Sequence, residues 1–169
     1  MKDNIRKIYI IGPVGSGKTT LANKLSKKLN IKMYELDKVV WDDDNGNIKR
    51  DLDDINKRFK IIIDKSSWII EDVGRKKFRE GIKKADIVYY LNLNKTDIYK
   101  RCITRWIKQK IGIEKFNYNP TLKGLIQMLS WAKNDIRNKE EKIEYIKKNS
   151  KKYKILTKKE IKKNIDWRW

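Results

Sequence analysis

The chain reads as an α/β protein, a parallel sheet with helices on both faces. Three observations predict it. Short apolar runs rich in Ile, Val and Tyr recur along the chain, too short for helices. Stretches with apolar residues at helical spacing separate them, the alternation that βαβ units produce. A glycine-rich turn joins the first run directly to the first helical stretch.

Each element follows from its own pattern. Residues 7–11 (KIYII) are near-continuously apolar, as a strand covered on both faces must be. Residues 17–29 place Leu21, Leu25 and Leu29 at i, i+4 and i+8, one face of a helix. Residues 32–36 make a weaker strand. Residues 42–47, acidic and containing Gly46, are expected to form a loop. Residues 52–64 are helical through Leu52, Ile55, Phe59 and Ile63, and residues 68–71 and 86–93 supply the third and fourth strands. Residues 95–110 form a long helix with Ile98, Cys102 and Trp106 inward and Ile103 and Ile107 on the same side. Gly112 and Pro120 break the periodicity of 111–120. A second helical stretch spans about 122–148 through Leu125, Leu129, Ile136, Ile143 and Ile146. Residues 152–156 are the last strand, and Thr157-Lys158-Lys159-Glu160 is a capping box opening the final helix. The tail Trp167-Arg168-Trp169 reads equally as a docked terminus or an exposed aromatic end.

Composition narrows the chemistry. A length of 169 residues argues for one domain. Hydrophobic residues make up 39% and charged residues 38%. The absence of histidine excludes Ser-His-Asp and Cys-His catalysis, a histidine general base and His-ligated zinc. Cys102 alone can form neither an internal disulfide nor a cysteine metal cluster. No apolar run reaches the roughly 18 residues of a membrane span. Met1-Lys2-Asp3-Asn4 leads into no signal-peptide core, so a soluble, cytoplasmic protein without membrane partners is expected. The net charge is +21, from 34 Lys and 9 Arg against 22 acids. Residues 1–100 hold 23 basic and 15 acidic groups, and residues 101–169 hold 20 and 7. That excess fits a polyanionic partner such as nucleic acid. It equally fits compositional drift in a chain dominated by Lys, Ile and Asn, with dispersed lysines on solvated helix faces.

The chemical signal is Gly12-Pro13-Val14-Gly15-Ser16-Gly17-Lys18-Thr19, which fits G-x-x-x-x-G-K-[ST], the Walker A phosphate loop. It follows a buried strand and opens a helix, so backbone N–H groups converge on an anion. The glycines permit backbone conformations and a close approach that side chains would block. Lys18 is placed to reach β- and γ-phosphates, the Thr19 hydroxyl to hold Mg²⁺, and Thr20 adjoins the same helix start. Asn94-Lys95-Thr96-Asp97 matches the guanine-reading N-K-x-D. No D-x-x-G accompanies it, since Asp72-Val73-Gly74 is one residue short. The segment therefore reads as a helix cap and start.

The strings IYIIGPVGSGKTTLANKLSKKLNIKMYELDKVVW, SSWIIEDVGR and ADIVYYLNL resemble the adenylate-kinase-like P-loop kinases. The nearest branch is the bacterial family of DNA topology modulation proteins. The similarity covers nearly the whole chain, and Y-E-L-D-x-x-x-W is its most particular feature. The resemblance implies a three-layer P-loop NTPase fold with a five-stranded parallel sheet in order 2-3-1-4-5. It also implies a helical lid at about residues 106–120 and phosphoryl transfer from ATP, with Mg²⁺, to an acceptor it does not name. By position, Asp37 corresponds to the carboxylate that related kinases aim at the acceptor hydroxyl or at Mg²⁺; its local alternative is a helix N-cap. Glu71 and Asp72 end the third strand where a carboxylate holds Mg²⁺. The family usually has Asp-Gly-Asn where this chain has Glu71-Asp72-Val73, so the acting carboxylate is open between the two. Arg75 is placed to clamp an anionic acceptor. Arg101 and Arg105, four residues apart, correspond to the arginines that respectively stack on adenine and grip the transferred phosphoryl group. Their alternative is two solvated helix residues. Arg137 is a weaker candidate for a lid contact. Lys108, Lys110 and Lys115 stand in the lid region without any arginine, which departs from many adenylate kinases and argues against AMP as acceptor. Trp41, Trp68, Trp106 and Trp131 read as core or lid-packing aromatics ahead of base-stacking platforms.

The leading expectation is a Mg²⁺-ATP-dependent kinase for a small acceptor, nucleotide-like acceptors included. The rival is a nucleotide-gated nucleic-acid-binding or regulatory protein that uses the basic C-terminal segment. A GTP switch rests on Asn94 to Asp97 alone.

Overall fold

The computed structural model describes residues 5–42, 45–46, 48–113 and 120–162. In chain order the strands are β1 (Lys7–Ile11), β2 (Met33–Glu35), β3 (Trp41–Asp42), β4 (Ile48–Lys49), β5 (Trp68–Asp72), β6 (Ile87–Leu91) and β7 (Tyr153–Leu156). The helices are α1 (Lys18–Leu29), α2 (Leu36–Val40), α3 (Leu52–Ile63), α4 (Arg79–Lys84), α5 (Lys95–Lys110), α6 (Leu122–Arg137), α7 (Lys139–Asn149) and α8 (Lys158–Lys162). A single 3-10 turn at Lys76–Phe78 precedes α4. Five strands pair side by side in the order β2-β5-β1-β6-β7, all parallel. Numbered within that sheet alone, this is the expected 2-3-1-4-5.

Alternation along each strand sorts side chains onto the two faces. Tyr9, Ile11, Trp68, Ile70, Val88 and Tyr90 pack under α2, α3, α4 and α7, against Leu36, Phe59, Ile63, Ile82 and Ile143 among others. Ile8, Ile10, Ile69, Tyr89 and Leu91 pack under α1 through Leu21, Ala22 and Leu25. Ile8 and Ile10 are fully buried, each worth about 1.5–3 kcal/mol relative to exposure. A third cluster of Leu93, Ile98, Cys102, Met128 and Ala132 joins α5 to α6. Helix starts are capped as the sequence suggests: Asn94 accepts from Asp97 N at 2.8 Å. Glu160 Oε2 accepts from Thr157 N and Oγ1, both at 2.8 Å. Among the described residues no helix is long and apolar enough to cross a membrane.

Several elements differ from expectation. The loop expected at 42–47 shows a turn at its described residues Asn45 and Gly46; the addition is that Asp42 ends β3, which pairs with β4 as a short antiparallel ribbon. Arg50 anchors it, donating to Lys38 O at 2.9 Å and pairing with Asp42 at 3.0 Å. The stretch 122–148 is two helices, because Asn138 ends α6 and starts α7. Helix α4 had no counterpart in the sequence reading, since only Phe78 and Ile82 mark its buried side. On α5, Ile103 and Ile107 are 40% and 47% exposed. The face bearing Ile98 and Cys102 meets α6, and Ile103 lies about 100° round from Cys102. Trp68 is core and Trp41 and Trp106 are half-buried, whereas Trp131 is 52% exposed and packs no core. The tail Trp167–Trp169, and residues 114–119 of the expected lid with Lys115, lie outside the described residues.

Candidate active site at the phosphate loop

The loop between β1 and α1 is held by its own backbone. Ser16 N donates to Pro13 O at 3.1 Å and closes the turn. Gly15 has φ +75°, a left-handed conformation that a side chain would strain. A Cβ on Gly12 would stand 2.8 Å from Ser16 Oγ and 3.0 Å from Leu91 Cβ. Gly17 caps α1 without a side-chain acceptor, which leaves the first N–H groups of the helix facing the loop. Lys18 is buried, and its Nζ donates to Pro13 O at 3.1 Å. The ammonium is thus folded back onto its own loop. Ser16 Oγ is buried there with no hydrogen-bond partner. Thr19 and Thr20 are exposed on the first turn of α1.

The carboxylates at the end of β5 divide. Glu71 turns to the loop: its Oε1 accepts from Thr19 Oγ1 at 3.2 Å, while Oε2 is buried without a partner. Burial raises its pKa to about 7, against the pull of the Lys18 ammonium and with further push from Asp37, Glu35 and Asp72. Asp72 turns away. Its fully buried side chain accepts from Gly74 N at 2.8 Å and Arg75 N at 2.6 Å, and it pairs with the Arg75 guanidinium. The other arm of Arg75 reaches Asp37 Oδ1. Asp37 sits in the first turn of α2, 59% exposed, and is not the cap; that position is Glu35, whose side chain makes no cap bond. Thr19, Glu71, Asp37 and Arg75 therefore gather at the carboxyl ends of β1, β2 and β5, where open parallel sheets bind ligands.

Helix α5 brings Arg101 to the loop: its NH1 donates to Ser16 O at 2.8 Å and lies beside Gly17. Arg105 is exposed one turn further on. Arg137 is exposed at the end of α6 and donates to Asn134 Oδ1 at 3.0 Å, within its own helix. Asp97 is engaged by Lys158 and Asn94 by the helix start, so these two act as cap and tether. Sequence reasoning missed Asp135 and Lys142. Asp135 Oδ2 accepts from Val14 N at 3.3 Å and its Oδ1 from Lys142 Nζ at 2.7 Å. Lys142 Nζ also donates to Val73 O at 2.8 Å. An acid on the buried side of an amphipathic helix was the available signal.

The AAA domain family model AAA_18 matches residues 8–119. A shikimate kinase of Bacillus cytotoxicus is 30% identical over an alignment covering 66% of this chain and 77% of the relative. A shikimate kinase of Legionella pneumophila strain Corby is 29% identical over 80 residues, 47% of this chain. The chain spans about a third of that relative, 35%. Among solved structures, the shikimate kinase of Acinetobacter baumannii in complex with shikimate superposes with a TM-score of 0.56 at 16% identity, covering 90% of this chain and 84% of that one. A sugar kinase of Janibacter sp. gives 0.54 at 16% identity, covering 90% and 85%. These two likenesses are of fold. From the family match and the Bacillus relative together, the chain belongs to the AAA domain family, among shikimate-kinase-like P-loop proteins.

Proposed function

We propose that this protein is a Mg²⁺-ATP-dependent kinase that transfers the γ-phosphoryl group of ATP to a hydroxyl of a small acceptor. The observation that carries the reading is the meeting of Thr19 and Glu71 at 3.2 Å beside the phosphate loop, with Asp37 held by Arg75 at the neighbouring strand ends. In this account the loop N–H groups and Lys18 hold the phosphates, and Arg101 fixes the loop backbone. The donor set fits Mg²⁺: a hydroxyl, and a buried carboxylate whose second oxygen has no partner. Mg²⁺ is ordinarily held by one or two carboxylates together with substrate phosphates, and when bound it would offset charge on the β- and γ-oxygens. Thr19 and Glu71 would hold it. Asp72, spent on Arg75 and two backbone N–H groups, is assigned to loop shape.

Asp37 orients the acceptor hydroxyl and takes its proton as the oxygen attacks the γ-phosphorus, and ADP leaves. Arg105, on the turn beyond Arg101, is assigned to the transferred phosphoryl group. Arg75 is assigned to hold Asp37 in place and to border the acceptor; Arg137 stays the weaker candidate for a lid contact, and its bond to Asn134 within its own helix offers that role no support. The acceptor class remains that of small hydroxyl compounds, with shikimate-like and sugar-like polyols suggested by the names of the relatives. The adenylate-kinase-like resemblance adds nucleotides to the panel. Some lysines pair with acids, as in Lys84 with Asp64 and Glu80, and Lys76 with Glu141; the net +21 lies beyond such pairs, and nucleic acid is not the favoured partner in this reading. Two variants test the roles. Lys18→Ala should abolish nucleotide turnover, and unchanged turnover would overturn the proposal. Asp37→Asn should suppress transfer while ATP binding persists; loss of ATP binding instead would make Asp37 structural.

A further inference from the structure

We propose that Asp135 and Lys142 form a brace tying the phosphate loop to the loop after β5, and that they act as positioning residues for phosphoryl transfer. The kinetic part rests on the kinase reading above; the brace itself does not. Asp135 is 8% exposed. One of its carboxylate oxygens accepts from Val14 N at 3.3 Å in the phosphate loop, the other from Lys142 Nζ at 2.7 Å. The same ammonium donates at 2.8 Å to Val73 O, one residue beyond Asp72 and two beyond Glu71. The side chain of Lys142 also runs along Gly74, where a Cβ would stand 3.2 Å from its Cδ. Two side chains thus join the segment that would hold phosphates to the segment that carries the carboxylates. Both ends of this bridge bind backbone groups, so the brace fixes main-chain position whatever the neighbouring side chains do.

Stability alone gives a weak reason for such a pair. A largely buried ion pair often contributes little net stability, because desolvation offsets the attraction. Its geometric value is larger, since a displacement of about 1 Å between reacting groups can cost on the order of 100-fold in rate. Asp135 stands on α6 and Lys142 on α7, so the brace draws on two successive helices. The Trp106 indole donates to Pro120 O at 3.2 Å and Thr121 O at 3.1 Å, and Thr121 caps α6.

The test uses the whole chain with Lys142→Met, which keeps the aliphatic stem, and Asp135→Asn, which keeps the shape. Amide hydrogen exchange is read at Val14 and at residues 72–75, beside ATP turnover and thermal unfolding. Lys142→Met, which removes no direct contact to the phosphate loop, should speed exchange at Val14 as well as at 72–75. It should also lower kcat about 10-fold or more with a smaller change in KM for ATP. The double variant should lose no more than the worse single one, as expected for residues acting as a unit. Lys142→Arg should recover part of the loss. Unchanged exchange at Val14 in Lys142→Met would overturn the brace. Unchanged kcat in a folded, less stable variant would reduce the pair to packing. If the wild type turns over no ATP with any acceptor, the kinase reading fails, and the exchange measurement still decides the brace.

Discussion

Replacing Glu71 by glutamine should make the protein more stable at neutral pH while removing nucleotide turnover. Glu71 is 4% exposed, and one of its oxygens has no hydrogen-bond partner. Burial raises its pKa from 4.5 to about 7. The folded state therefore holds this proton more tightly than the unfolded chain does. The stabilising contribution is fully present below about pH 4.5, declines as pH rises through about 7, and is gone above it. The interval from 4.5 to about 7 corresponds to about 3 kcal/mol, at ~1.36 kcal/mol for each tenfold change in proton affinity. Glutamine has the same shape, carries no charge to desolvate, and can still accept the Thr19 hydroxyl bond. In metal-free buffer the stability difference between Glu71→Gln and wild type should be near zero at about pH 4.5 and grow to at most about 3 kcal/mol by about pH 8. Urea denaturation across that range measures it, read as a shift in midpoint at constant slope. A difference that does not vary with pH, or a variant less stable at pH 8, would refute the reasoning. Adding Mg²⁺-ATP should restabilise the wild type more than the variant.

Other perturbations test neighbouring parts. Gly15→Ala places a side chain at φ +75° and 3.0 Å from Cys102 Sγ; it should cost at least about 1–2 kcal/mol and weaken ATP binding by calorimetry, and unaltered affinity would count against the loop geometry. Arg75→Ala strips the fully buried Asp72 side chain of its cation and should destabilise the fold by about 3 kcal/mol in urea. A cost below ~1 kcal/mol would show that the backbone donors suffice. Asn94→Ala removes a helix cap and should cost about 1 kcal/mol without changing the ratio of ATP to GTP binding; a changed ratio would revive the guanine-reading interpretation of residues 94–97.

What the sequence disclosed depended on how local the cause was. The phosphate loop, the apolar strands and the α5 boundaries follow from glycine positions, continuous apolar runs and the Asn94 cap, all local chemistry. The break at Asn138 was hidden because apolar residues keep helical spacing across it from Ile136 to Ile143. Helix α4 was hidden because six residues with one buried isoleucine carry no readable period. The choice between Glu71 and Asp72 was out of reach for another reason. Successive strand residues point to opposite faces, and which face meets Thr19 is fixed by the pairing of β1 with β5, Ile11 opposite Asp72. The Asp37–Arg75 contact, 38 positions apart, and the Val14–Asp135 contact, 121 apart, likewise exist only once the sheet has assembled.

The most direct test of the central claim is ADP release from Mg²⁺-ATP across a panel of shikimate, sugars, small alcohols, nucleosides and nucleoside monophosphates, with Lys18→Ala as control. The account predicts release that depends on a hydroxyl-bearing acceptor and is absent in the variant. Tight ATP binding with no acceptor-stimulated release from any compound would contradict it, and would shift weight to nucleotide as an effector.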